Sequence, residues 1–125
     1  MNLVPGTVRR EGENAVFRMR GTETNVTLSP AWTRALQSHE GRDVLLGIRP
    51  EDLRLAGAGA GIPATVELAE PLGNELLLHV HTAGVDLTGR LPAGIPPASG
   101  SAVHLAVDPE RVHFFDPSSG LAIVR

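Results

Sequence analysis

A chain of 125 residues is long enough to bury a core of its own without metals or disulfides. All eleven basic residues are arginine, so lysine is absent, and so is cysteine. The chain therefore has no phosphate-loop lysine, Schiff base, thiolate nucleophile or thiolate zinc site, and a net charge of −3 with 3% aromatic residues argues against a nucleic-acid binder.

In chain order, Met1 to Arg10 has no apolar run before Arg9 and Arg10, so it does not read as an export signal and the expected location is cytoplasmic. The longest uncharged stretches are broken by glycine, proline and serine, and none reads as a membrane span. Ser29-Pro30-Ala31-Trp32-Thr33-Arg34-Ala35-Leu36 carries a capping serine and a proline at the first helical position, which predicts one short helix near residues 30–38. Everything else reads as strand. Fourteen glycines and ten prolines separate short alternating runs, and Val44/Leu46/Ile48, Leu76/Leu78/Val80 and Val103/Leu105/Val107 each place three apolar side chains on one face. Such a pattern predicts an all-β barrel or sandwich. A last strand is expected at residues 121–124.

The chain also resembles itself. At an offset of 59, the segment Val44 to Leu55 aligns with Val103 to Phe114, and both read as strand, Pro-Glu turn, strand. Gly41 pairs with Gly100, Val26 with Val85 and Leu28 with Leu87 at the same offset. Residues 3–55 and 62–114 are accordingly read as two copies of one β unit, joined by a flexible linker at 56–61. A unit of that size is marginal alone, and doubling it supplies a core.

Few residues point to chemistry. The turns Arg49-Pro50-Glu51 and Asp108-Pro109-Glu110 have a local explanation, a single helical turn opened by proline with an acidic residue at its positive end. His79 and His81 alternate on one strand face and could reach a common ion, but no third ligand stands at motif spacing, although Glu75 shares the face, so no metal site is read here. Glu67 and Glu70 are expected on opposite faces of a strand, which would prevent them from acting together. The Gly57 to Ile62 segment lacks the setting of a dinucleotide fingerprint, and no nucleophile elbow or HExxH motif occurs.

Gly47-Ile48-Arg49-Pro50-Glu51-Asp52-Leu53 resembles the C-terminal regulatory domain of ATP-binding subunits of maltose-type ABC importers. Met1 to Gly6, Glu70 to Val80, Leu87 to Pro92 and Asp108 to Asp116 are similar to further stretches of that family, so the likeness covers nearly the whole chain, residues 1–125, as one transport-associated OB-like domain. The resemblance implies an OB-like barrel that does no chemistry and pairs with a second copy across the ATPase dimer. Its partners would be the ATPase domain of its own chain, the importer's membrane subunits indirectly, and in some members a regulatory protein. ATP and magnesium would belong to the parent protein, of which this chain would be an excised piece at the inner face of the membrane. The two Pro-Glu turns become candidate interface or structural positions, and Gly73-Asn74-Glu75 a candidate regulatory loop. The cargo class implied is a sugar or glycerol phosphate. A second function of another class is oxyanion sensing, because duplicated barrels of this type also occur in molybdate-binding proteins; Thr88, Ser99 and Ser101 are the candidate donors.

Overall fold

A computed structural model describes residues 1–125. Eleven strands and one short helix follow one another as β1 (Asn2–Glu11), β2 (Asn14–Met19), β3 (Asn25–Thr27), α1 (Pro30–Ala35), β4 (Asp43–Ile48), β5 (Leu53–Ala56), β6 (Ile62–Pro71), β7 (Glu75–Thr82), β8 (Val85–Pro92), β9 (Ala102–Val107), β10 (His113–Phe115) and β11 (Ala122–Ile123). The fold is the all-β class expected from the alternation and the OB-like form implied by the resemblance, with its one helix where the capping signals placed it. No helix is long and apolar enough to cross a membrane.

The chain forms two compact units, one of residues 1–2 and 48–108, the other of residues 3–47 and 109–125. These boundaries are not those of the segments 3–55 and 62–114 found in the sequence. The larger part of each unit comes from one segment, and one strand, β5 or β10, comes from the other. In the first unit the strand order is β5-β9-β6-β7-β8, and in the second β11-β10-β4-β1-β2-β3. Thus β5 joins β9, pairing Leu55 with Leu105 and Arg54 with Ala106, while β10 joins β4, pairing Phe114 with Leu46 and His113 with Gly47. An offset of 59 residues converts each of these pairs into the other. The closing strand β11 pairs with β10, in the sheet of β1 to β4.

In the unit of residues 3–47 and 109–125, all four aromatic residues of the chain are found. Phe114 is fully buried, 6.0 Å from the Phe17 ring and edge-on to Trp32 at 4.9 Å, arrangements that satisfy the ring quadrupoles. The helix is held by its own caps. Ser29 Oγ accepts from the Trp32 N–H at 3.3 Å, and Thr33 Oγ1 donates to the Ser29 carbonyl while accepting the Ala15 N–H, both at 2.9 Å, which ties α1 to β2. Gly6 on β1 lies under the Phe17 ring, where a Cβ would collide with the ring and with the Arg18 carbonyl.

The core of the other unit is wholly aliphatic: Ile48, Leu53, Ile62, Val66, Leu76, Leu78, Val80, Leu87, Leu91 and Leu105 are buried. Of the three predicted inward triplets, those on β4 and β7 are fully buried. On β9 only Leu105 is, with Val103 and Val107 half-buried. The reason is the offset of its neighbours, since β6 pairs with residues 102–105 and β5 with 104–107, so each end of β9 has a neighbour on one side only. Asn2 supplies a link that no strand provides. Its side-chain amide donates to the carbonyls of Ile48 (3.1 Å) and Thr88 (2.9 Å), and its oxygen accepts the Thr88 N–H at 2.8 Å. The segment 56–61, expected to be a flexible linker, ends in Gly61 at positive φ, where any Cβ would collide with the Leu105 carbonyl.

Candidate functional site

A groove of about 760 Å³ opens on the unit of residues 48–108. It is lined by Leu53, Leu55, Leu76, Leu91 and Ile95, with Glu51, Arg54, Asn74, Glu75 and Arg90 around them. Glu75 and Arg90 form an ion pair at 3.6 Å. The sequence singled out Glu51 in one Pro-Glu turn and Asn74 and Glu75 in the β6–β7 loop as unrelated candidates, and the fold brings them to one groove. Pro50–Asp52 is a single 3-10 turn, as expected from its proline. Gly73 has φ +87°, and the Leu72 N–H donates to the Glu75 carbonyl at 2.8 Å, closing the loop that presents Asn74.

No helix lies over the groove. In the other unit, α1 lies against the start of β2 and against β10, through Thr33 on Ala15 and Trp32 on Phe114. The corresponding elements here are the start of β7 and β5, and these form the groove's walls. At the 59-residue offset α1 would fall on residues 89–94, largely within β8, and between β8 and β9 stand Gly94, Pro96, Pro97 and Gly100 and no helix. The consequences can be read residue by residue. Leu36 and Ile95 stand 59 positions apart; Leu36 is 0% exposed and Ile95 is 95% exposed. Phe114, covered by Trp32, is fully buried, whereas its counterpart Leu55 is 49% exposed.

The second Pro-Glu turn is placed otherwise. Asp108-Pro109-Glu110 is an irregular turn without a helical segment. Arg125 Nη1 donates to the Glu110 carbonyl at 3.1 Å and approaches its carboxylate at 3.6 Å, with the guanidinium 5.6 Å above the Trp32 ring. The oxyanion donors are engaged within the chain. Thr88 N–H goes to Asn2 and its hydroxyl to His79 Nδ1 at 3.3 Å; the Ser99 hydroxyl donates to the Glu67 carbonyl, and Ser101 to Ala98.

The two strand histidines do not converge on a common ion. His79 Nε2 meets Glu70 at 2.6 Å, while His81 Nδ1 meets Asp86 at 2.8 Å and Glu67 at 3.8 Å. Glu67 and Glu70 thus share one face, contrary to the expectation from simple alternation. A β-bulge between Val66 and Leu68 inserts one residue and shifts the phase, so both carboxylates turn outward. Hydrogen bonding to His81 first, and then to Glu67, holds the Asp86 carboxyl below the usual carboxylate range. The bulge was invisible to a reading of period alone.

Comparison with known proteins gives two family matches, a TOBE domain over residues 46–115 and a MalK OB fold domain over residues 1–53. The chain is 37% identical over 121 residues to an sn-glycerol-3-phosphate import ATP-binding protein of Paraburkholderia xenovorans, covering 96% of this chain and 33% of that protein. It is 38% identical over 85 residues to a sulfoquinovosyl glycerol transport ATP-binding protein of Agrobacterium fabrum, covering 67% and 24%. The chain spans about a third of the length of the curated relatives it matches. Among solved structures, the molybdate-bound form of the cytoplasmic molybdate-binding protein ModG shares the fold, with a TM-score of 0.61 at 19% identity, over 90% of this chain and 94% of that one. A family match covering more than half the residues, together with alignment along nearly the whole chain, establishes that the chain belongs to the TOBE family, as a non-catalytic OB-fold domain of the kind carried by importer ATP-binding proteins.

Proposed function

We propose that the chain is the regulatory and dimerisation domain of the ATP-binding subunit of an ABC importer whose cargo is a sugar or glycerol phosphate. The observation that carries this reading is the alignment of 96% of the chain with a third of a glycerol-phosphate import ATP-binding protein. In this reading ATP and magnesium are bound by the ATPase domain of the same polypeptide, and the protein works at the cytoplasmic face of the membrane beside the importer's membrane subunits. We also retain, as a proposal, that residues 3–55 and 62–114 are copies of one unit. The interchangeable registers of β5 on β9 and β10 on β4 support it.

Within this role the groove of the 48–108 unit is the surface that receives a regulator, and the Asn74 loop and Glu51 turn are its rim. Support comes from its uncovered aliphatic side chains, which in the other unit are sealed by α1. The parent is tested by the coding sequence upstream of Met1, where a phosphate-binding loop and an ABC signature in frame are expected and a stop codon overturns the reading. Light scattering of the chain tests dimerisation. A dimer is expected, and a monomer at high concentration removes that part of the proposal.

Oxyanion sensing is the second reading, supported by the shared fold of a molybdate-bound protein. It is weakened by the internal engagement of Thr88, Ser99 and Ser101. A thermal shift with molybdate or tungstate would favour it, since ligand at 100 times its dissociation constant stabilises by about 2.7 kcal/mol.

A further inference from the structure

Away from the groove, on the outward face of β6, β7 and β8, three side chains of different strands converge. His81 stands directly opposite Asp86 across the β7–β8 pair. On the other side its partner is Thr65, with Glu67 two residues further along the same face at the bulge. One ligand atom from each of Glu67, His81 and Asp86 lies within 4.8 Å of the other two. The backbone that presents Glu67 is anchored on both sides of the bulge: Ser99 Oγ donates to the Glu67 carbonyl at 3.0 Å, the Gly100 N–H to the Val66 carbonyl at 2.7 Å, and the Val66 N–H to the Ser101 carbonyl at 2.9 Å.

We propose that Glu67, His81 and Asp86 form a binding site for one divalent cation of the borderline class, for which Zn²⁺ is the probe. An imidazole nitrogen with two carboxylate oxygens suits zinc and its first-row neighbours, whereas magnesium and calcium prefer oxygen alone. Ligands bound tetrahedrally at about 2.0–2.2 Å stand roughly 3.4 Å apart. The separations of 2.8 and 3.8 Å from His81 Nδ1 to Asp86 and Glu67 bracket that value, so the ion enters by small rotations of three solvent-exposed side chains. It takes the place of the hydrogen bond between His81 and Asp86 and leaves the remaining coordination positions to water. The site is assembled only by the fold, because its ligands are 14 and 5 residues apart in a sequence that offers no third ligand at motif spacing. Bound there, the ion would clip three adjacent strands together.

Isothermal titration of the chain with Zn²⁺ at neutral pH tests this. One ion per chain is expected, retained in excess Mg²⁺, with affinity falling at least tenfold in His81→Ala and in Glu67→Gln and unchanged in His79→Ala and His104→Ala. Circular dichroism of each variant verifies that it is folded, which surface positions of this kind should allow. Absence of binding, displacement by Mg²⁺, or binding indifferent to both His81→Ala and Glu67→Gln would overturn the proposal.

Discussion

At Ala83 a single side chain sits in the wrong conformation for its type. It forms with Gly84 the two-residue turn between β7 and β8, and both have positive φ, 46° and 81°. Such turns favour Asn-Gly, since a left-handed backbone brings a Cβ against the following carbonyl. Ala83→Asn should therefore stabilise the protein by about 0.5–1 kcal/mol, measured as a higher urea midpoint with unchanged slope. Asn2→Ala should act in the opposite sense. It removes three hydrogen bonds and strands the Thr88 N–H and Ile48 carbonyl, a loss of about 1–3 kcal/mol on the same assay. Asp116 gives a pH-dependent case. Its carboxylate accepts the N–H groups of Ser119 and Ser118, which depress its pKa. A depressed carboxylate contributes its stability above the unfolded pKa and loses it as the pH falls through the folded value. The turn before β11 should then fray in acid below the ordinary carboxylate range, with faster amide exchange at Ser118 and Ser119. Asp116→Asn, which loses the titration, should flatten that dependence.

Between elements, the pairing of β10 with β4 has the largest consequence. Phe114 comes from the last stretch of chain yet occupies the centre of the aromatic cluster in the unit built mainly from residues 3–47. Phe114→Ala should cost about 3–5 kcal/mol, and the half-buried Phe115→Ala clearly less. Trp32 fluorescence, 4.9 Å away, would report the unfolding of that unit. The helix illustrates what local signals accomplish. Ser29 and Pro30 announce its start in the sequence, and both act as such in the structure. What they do not announce is that Thr33 would secure it to β2. Nor is the bulge at Val66–Leu68 written in any alternation, because a bulge is settled by the pairing of two strands and not by either strand alone.

For the molecule as a whole, the two units have unlike cores. One holds every aromatic residue and a helix packed on Phe114, while the other is aliphatic and carries a groove with no helix over it. This difference gives the proposed regulatory groove its test. In the importer proposed as its parent, Ile95→Asp or Leu55→Asp should leave basal ATP hydrolysis unchanged and abolish its modulation by a regulator, because both side chains are largely exposed. Loss of basal hydrolysis in both would count against a docking role.

Taken alone, the sequence determined the all-β class, the helix and its cap, the family resemblance, and the absence of lysine and cysteine chemistry, since these depend on composition, period and residues close together in the chain. Tertiary structure decided which strand joins which sheet, and thereby the two units, the meeting of Glu51 with Asn74 and Glu75, and the cluster of Glu67, His81 and Asp86. The physical reason lies in the pairing itself. Antiparallel strands bond through the backbone, so an alternating run of Val and Leu carries its inward face in its own sequence. The choice of neighbour is made only when distant segments compete to bury it.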